Sequence, residues 1–450
     1  MNTSIKLLAL CCSMASAGAF AAERIEVPSS FNPVGSGARA LGQGGSFIAV
    51  ADDATAASWN PGALTQLRTT ELAIAYSYTD LTEDNSFSAE PQLNGEQTVD
   101  SSDINYLAFS VPCGADTCGK NMVFSVNYQR LYDLSRQWNM ARNPEDDDIS
   151  NDVSETLQYK QQGSLSALGL AYAVQLTDTL SVGATLNFWQ DGMLGDDWSI
   201  DSSYQESGNL DTLPFANEEE TSYSNEFEGF NYNLGLLWQV FQDNETKLTI
   251  GVVYKSGFTA DISQTREFEY SNTFPTLPDW NESFGPFTES NEQELEMPQS
   301  FGLGLAYQMS DNFTMSVDVY QTSWSDFVLT DADGTKRSPL SNLPIEDHEI
   351  DDTTQIRAGA EYRIISQEFG DNYIIPIRVG VFSDPAAAEG SPDDTYGFSM
   401  GTGIAYEHFV FDIAYQYRFG DDIGESALPE LGYSQDLEEH QLMGSVFYRF

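Results

Sequence analysis

Basic side chains are scarce in this 450-residue sequence: 19 Lys and Arg stand against 69 Asp and Glu, a formal charge of −50. So acidic a chain excludes nucleic acid as a partner and offers no basic patch for anionic lipid. Histidine is nearly absent too, with only His348, His408 and His440 present. No nucleophilic Ser motif or ligand cluster accompanies them, so no catalytic residue, no cofactor and no metal site is expected, and the chain reads as a non-enzyme. His348 sits in the acidic run Pro344–Asp352, a solvated loop that has the groups to bind a divalent cation. Asp331 to Thr335 lacks calcium-loop spacing and reads as a turn. Beyond the first 21 residues no apolar run is long enough for a membrane-crossing helix. Of four cysteines, Cys11 and Cys12 fall in Met1–Ala21, which has the charged start, apolar centre and Ala19-Phe20-Ala21 site of a secretory signal. Cys113 and Cys118 remain, with four residues between them in an exported chain, and read as a local disulfide.

Alternation is abundant. Runs of roughly ten residues, the length of a tilted membrane-spanning strand, alternate apolar with polar or small side chains. They are Glu71–Asp80, Asp103–Pro112, Lys120–Tyr132, Gln158–Gln175, Thr179–Gln190, Glu226–Phe241, Thr246–Phe258, Glu294–Gln308, Asn312–Phe327, Thr353–Ile364, Tyr373–Ser383, Thr395–Glu407, Phe409–Phe419 and Glu439–Phe450. Fourteen is an even number, as single-chain bacterial barrels require. Connections alternate between short (Leu176–Asp178, Met309–Asp311, His408) and long (Asp133–Leu157, Asp191–Asn225, Thr259–Gln293). The pattern predicts an all-β, 14-stranded antiparallel transmembrane barrel in the bacterial outer membrane, with both termini periplasmic and the long loops external. The final Tyr448-Arg449-Phe450 resembles the terminal signal read by the barrel assembly machinery, an expected partner.

One early stretch does not alternate. Gly35 to Leu64, GSGARALGQGGSFIAVADDATAASWNPGAL, is rich in Gly and Ala, and its small residues allow close backbone approach. It resembles the N-terminal hatch of the outer-membrane FadL/TodX (OMPP1) family of hydrophobic-compound transporters. The resemblance includes Ala49 to Ala56 and Trp59 to Leu64, with Asn60-Pro61-Gly62 where the family usually has Asn-Pro-Ala. It continues through Met297–Gly304, Val319–Phe327, Gln355–Tyr362, Arg378–Pro385 and Phe398–Tyr406. The implied domains are a signal peptide over 1–21, an N-terminal plug over 22–68 and a barrel over 69–450. The implied function is passive uptake of hydrophobic compounds, foremost long-chain fatty acids, by loop capture, lumen binding, plug movement and exit through a gap in the wall. The family makes that gap by an inward kink in strand three, but Lys120–Tyr132 contains no Gly to locate it. An aromatic-hydrocarbon transporter on the same fold and a non-transporting assembly or secretion partner remain alternatives.

Site candidates follow. Asn60, Pro61 and Gly62 form a turn expected to wedge the plug against the wall. Trp198, Leu213, Phe215, Phe274, Leu277, Trp280 and Phe284 are apolar residues in external loops, packing on one another or forming a capture groove. Strand parity points Lys255, Arg357, Arg363, Arg378, Arg418 and Arg449 inward. Arg357, Arg378 and Lys255 are the candidates for a ligand carboxylate, unless inward acids such as Glu361 neutralise them. Pairing Ile364 with Tyr373 would place Arg378 diagonally beside Arg357, with Gly359 and Gly380 leaving ligand space. Glu145–Asp148 and Glu218–Glu220 are expected to share divalent cations with lipopolysaccharide phosphates, outer-membrane lipid being the other surrounding partner.

Overall fold

The computed structural model describes residues 36–144, 150–243, 246–347, 349–366, 373–426 and 428–450. The signal segment, Glu145–Asp148 and His348 lie outside them.

Fourteen strands close an antiparallel barrel: β1 (Glu71–Phe87), β2 (Gly95–Cys113), β3 (Met122–Asp133), β6 (Ser164–Gln175), β7 (Leu180–Asp191), β9 (Leu213–Gln242), β10 (Lys247–Lys255), β13 (Ser300–Ser310), β14 (Phe313–Thr322), β17 (Thr353–Ser366), β18 (Tyr373–Ser383), β19 (Tyr396–Tyr406), β20 (Phe409–Ile423) and β21 (Tyr433–Arg449). Each pairs with the next in that order, and β21 returns to β1. The ring leaves no open edge in lipid, where an unpaired amide would cost several kcal/mol. Parity sets the two faces: on β1, Leu72, Ile74, Tyr76 and Tyr78 are exposed, while Ala73, Ala75 and Ser77 are buried. Since lipid is itself apolar, the exposed set is the belt that holds the barrel in the membrane.

The long connections are not loops. Asp133–Leu157, Asp191–Asn225 and Thr259–Gln293 contribute β4 (Arg136–Arg142), β5 (Ser150–Gln162), β8 (Trp198–Leu210), the outer half of β9, β11 (Phe258–Thr273) and β12 (Glu282–Met297). With β15 (Val328–Asp331) and β16 (Lys336–Arg337) they form an external sheet ordered β4-β5-β8-β9-β11-β12-β15-β16. The 30-residue β9 carries this sheet directly up from the barrel wall. Two runs read as single strands are split. Gln158–Gln175 breaks at Gly163, whose φ of 108° only glycine adopts freely. Glu294–Gln308 breaks at Pro298, which has no N–H for a ladder.

Residues 36–67 lie inside the short-turn half of the ring and are buried except at Arg39, Val50, Asp52 and Gln66. Their apolar side chains pack on inward small residues of the wall, among them Ala73, Ala108, Ala171 and Ala414. Above them, toward the long connections, a second apolar cluster gathers Leu131, Leu165, Trp189, Trp198, Phe227, Ile262, Leu295, Trp324 and Phe327.

Cys113 and Cys118 are disulfide-bonded, with Cα atoms 5.9 Å apart, in the turn between β2 and β3. Thiol labelling of the native protein before reduction should therefore be negligible and should reach both cysteines after reduction; strong labelling beforehand would contradict the bond.

Candidate functional site

The inner segment is held by backbone contacts that wall glycines make possible. A β-carbon at Gly183, Gly235, Gly359 or Gly380 would collide with Pro61 O, Asn60 Oδ1, Gln43 O or Gly44 N respectively. Gly359 and Gly380 thus make room for the chain's own residues 43–44, not for a ligand. Gly44 and Gly45 both take positive φ, which turns the segment along the wall there. Asn60 donates through Nδ2 to Leu236 O of the wall at 3.0 Å and to Ile48 O at 2.9 Å, while its Oδ1 accepts from Gly62 N. Asp318, at an inward position of β14, accepts from the Phe47 and Ile48 amides at 2.6 and 2.8 Å. Ser445, Ser399, Thr185 and Tyr106 also donate from the wall to this segment or accept from it.

Charge completes the seat. Arg39 of the inner segment binds Asp52 and, at 3.1 Å, Glu361 of β17. Glu361 Oε2 also takes Arg378 Nε at 2.7 Å, and Arg378 Nη1 reaches Asp412 at 2.5 Å. The pairing register is Ser366↔Tyr373, so Glu361 stands directly opposite Arg378 and Arg357 opposite Phe382. Arg378 is therefore committed to two carboxylates and does not sit diagonally beside Arg357. Arg357 pairs with Asp384 at 3.0 Å and also donates toward Gln355 and Gly44 O. Arg363, Arg418 and Arg449 lie within ion-pair distance of Glu361, Glu439 and Glu71.

Lys255 differs. At the end of β10 it makes no ion pair among the described residues, and its Nζ lies 6.0 Å from the Tyr320 ring centre. It lines a small cavity of about 20 Å³ between the inner segment and the wall, together with Ser58, Trp59, Tyr320, Gln355 and Arg357. In the upper cluster Trp189 stacks on Phe258 at 5.2 Å and on Tyr132 at 5.9 Å, and Trp324 meets Phe327 edge-on. Aromatic walls beside a cation that has no ion-pair partner among the described residues suit an apolar chain with an anionic end.

The wall has a seam. The β2–β3 ladder ends at Tyr106↔Gln129. Beyond it the strands are bridged by side chains, Arg130 to Asp103 at 3.1 Å and Ser101 to Asp133 at 2.7 Å. Asn127 to Leu131 are buried in succession, so β3 leaves the lipid face, and its register to β6 shifts between Arg130 and Tyr132. A bulge turns the strand inward without any glycine.

The apolar residues of the external connections divide. Trp198 is buried in the upper lumen cluster. Leu213 and Phe215 lie at the β8–β9 tip, and Phe274, Leu277, Trp280 and Phe284 at the β11–β12 tip, neighbouring tips because Thr273 pairs with Ala216. Phe274 meets Trp280 at 5.9 Å, and Phe284 stacks on Tyr270. Glu218 to Glu220 lie in a row along β9, and among the described residues no group of three acidic, His or Cys side chains is placed to hold a metal. His408 bonds Arg449 O at a turn, and His440 bonds Tyr415 OH. Sequence reasoning missed Asp318, Trp189 and Phe227. The parity that placed Arg357 inward does the same for Asp318, its cross-strand partner.

Residues 8–426 match the model of the outer membrane protein transport protein family, OMPP1/FadL/TodX. A long-chain fatty acid transport protein of Escherichia coli K12 is 22% identical over 206 residues, 43% of each chain, so the match spans less than half of that relative. A Pseudomonas aeruginosa FadL homologue superposes with a TM-score of 0.59 at 13% identity, over 94% of this chain and 100% of that one. The Pseudomonas putida toluene transporter TodX superposes at 0.58 and 12% identity, over 93% and 98%. At such identities the superpositions speak for the fold alone, while the family match runs nearly end to end: the chain belongs to the outer-membrane OMPP1/FadL/TodX family.

Proposed function

We propose that this chain is a passive outer-membrane uptake channel for single-chain amphiphiles with an anionic end, long-chain fatty acids being the natural class. The observation that carries the reading is Lys255, a partly buried cation that has no ion-pair partner among the described residues, set below a stacked aromatic cluster. The ligand enters past the aromatic tips of the external sheet and lodges its chain among Trp189, Phe227 and Phe258. Its carboxylate meets Lys255, residues 36–67 act as the plug whose seat loosens, and the ligand leaves through the β2–β3 seam. Asn60-Pro61-Gly62 serves as the hinge end of that plug: Asn60→Ala should slow uptake while the barrel stays folded by heat-modifiable electrophoresis, and unchanged uptake would remove the role. A toluene-type cargo is the second reading, favoured by the Trp189–Phe258 stack; it gives Lys255 no role.

The test is equilibrium affinity of nanodisc-embedded protein for dodecanoic acid and 1-dodecanol, with and without Lys255→Gln. A hydrogen bond to a charged group contributes about 1.5–3 kcal/mol, so the variant should bind the acid roughly ten- to a hundredfold more weakly and the alcohol unchanged. If both ligands weaken equally, or neither does, Lys255 does not receive the carboxylate.

A further inference from the structure

Between the plug and the upper aromatic cluster lies a layer of buried amides. One cross-strand row runs Asn127↔Gly169↔Asn187↔Asn231 over β3, β6, β7 and β9. Gln129 stands one inward step above it on β3, and Asn233 one below on β9, opposite Lys255 of β10. Part of the row is internally bonded: Gln129 Nε2 donates to Asn187 Oδ1, and Asn187 Nδ2 to Asn231 Oδ1, each at 2.9 Å. The remainder is not. Asn127 is 1% exposed, yet among the described residues neither its amide nitrogen nor its oxygen has a hydrogen-bond partner, and the Gln129 and Asn233 oxygens are likewise unpartnered there. A buried amide left unbonded costs about 1–3 kcal/mol, so a lumen built only to pass hydrocarbon gains nothing from this layer. Its ends are also informative. Asn233 adjoins Lys255, and Gln129 is where the β2–β3 ladder stops.

We propose that Asn127, Gln129 and Asn233 form a neutral hydrogen-bonding track for the polar end of the ligand, leading from Lys255 to the β2–β3 seam. The track rests on the uptake reading above and narrows it. It assigns the cargo to amphiphiles whose polar end accepts or donates hydrogen bonds, alcohols and amides as well as acids, and gives a plain hydrocarbon that enters the lumen no help along the wall. Amides suit this task because each both donates and accepts without fixing the ligand's charge. A row of equivalent partners lets a head group step along the wall without returning to water.

The experiment is uptake by whole cells with intact lipopolysaccharide, after subtracting empty-vector cells, of 1-dodecanol and of dodecane. Asn127→Leu/Gln129→Met keeps side-chain volume and removes the hydrogen bonds. Dodecanol uptake should fall about tenfold or more while dodecane uptake does not fall. Equal loss of both, or loss of neither, overturns the track. Unmodified protein expressed in cells that take up neither compound above empty vector overturns the uptake reading and the track with it. A second measurement needs no substitution: dodecanol carrying a diazirine beside its hydroxyl, photolysed on the unmodified channel, should label β3 and β9 peptides containing Asn127, Gln129 or Asn233. Label confined to the aromatic mouth would overturn the track even if the variants failed to fold.

Discussion

Arg378→Gln should destabilise the barrel by about 3–5 kcal/mol, the cost of leaving a buried charge without its partner. Arg378 is 4% exposed, and among the described residues it is the sole ion-pair partner of Asp412, itself 5% exposed. Glu361 would keep Arg39, but Asp412 would face the lumen as a lone carboxylate. Its second oxygen already lacks a hydrogen bond among the described residues. Adding Asp412→Asn should recover most of the loss, because the stranded charge goes with it. Urea midpoints of the reconstituted protein read both effects. A loss under about 1 kcal/mol, or no recovery in the double variant, would show that the network does not hold the barrel. Lys255→Gln is the contrasting case, with a large effect on acid binding and little on stability.

Gly235→Val should unseat the plug and leave the barrel closed. Valine suits a strand, and Gly235 pairs with Gly183 on β7 and Val253 on β10. Its new side chain, however, would occupy the site of Asn60 Oδ1 and press on Gly62 N and Pro61 Cδ, both 2.7 Å from the β-carbon. Overpacking of this kind costs roughly 1–3 kcal/mol, enough to shift the seated-to-unseated ratio about five- to 150-fold. The expected readout is greater entry of a bulky polar antibiotic into cells expressing the variant, with normal heat-modifiable mobility. Unaltered entry with a folded barrel would mean that the segment does not close the lumen.

The barrel was legible because lipid on one side and lumen on the other impose a period of two on every wall strand. All fourteen runs correspond to barrel strands, half of them within a few residues at each end, while runs such as Glu71–Asp80 and Glu226–Phe241 stop well short of the strand's outer end. Legibility failed where that contrast ends. Most of the strands Ser150–Gln162 and Glu282–Met297 is polar, and their segments Ser150–Leu157 and Glu282–Gln293 read as loop. The β17–β18 register failed for a different reason. A slip of two residues preserves which side chains face inward, so parity cannot distinguish Ile364↔Tyr373 from Ser366↔Tyr373. That slip decides the chemistry, since it sets Glu361 against Arg378. The inward position of Gly359 and Gly380 was readable, but whether ligand or chain would fill the space was not. The turn of β3 was sought as a glycine, whereas the strand achieves it by a bulge near Leu131.

The most direct test of the account is saturable uptake of labelled long-chain fatty acid, alongside toluene, by bacterial cells that lack their own fatty-acid channel and express this chain. The account predicts fatty-acid uptake well above empty-vector cells, competed by other fatty acids and not by toluene. Uptake of toluene alone, or fatty-acid uptake no faster than in empty-vector cells, would contradict it.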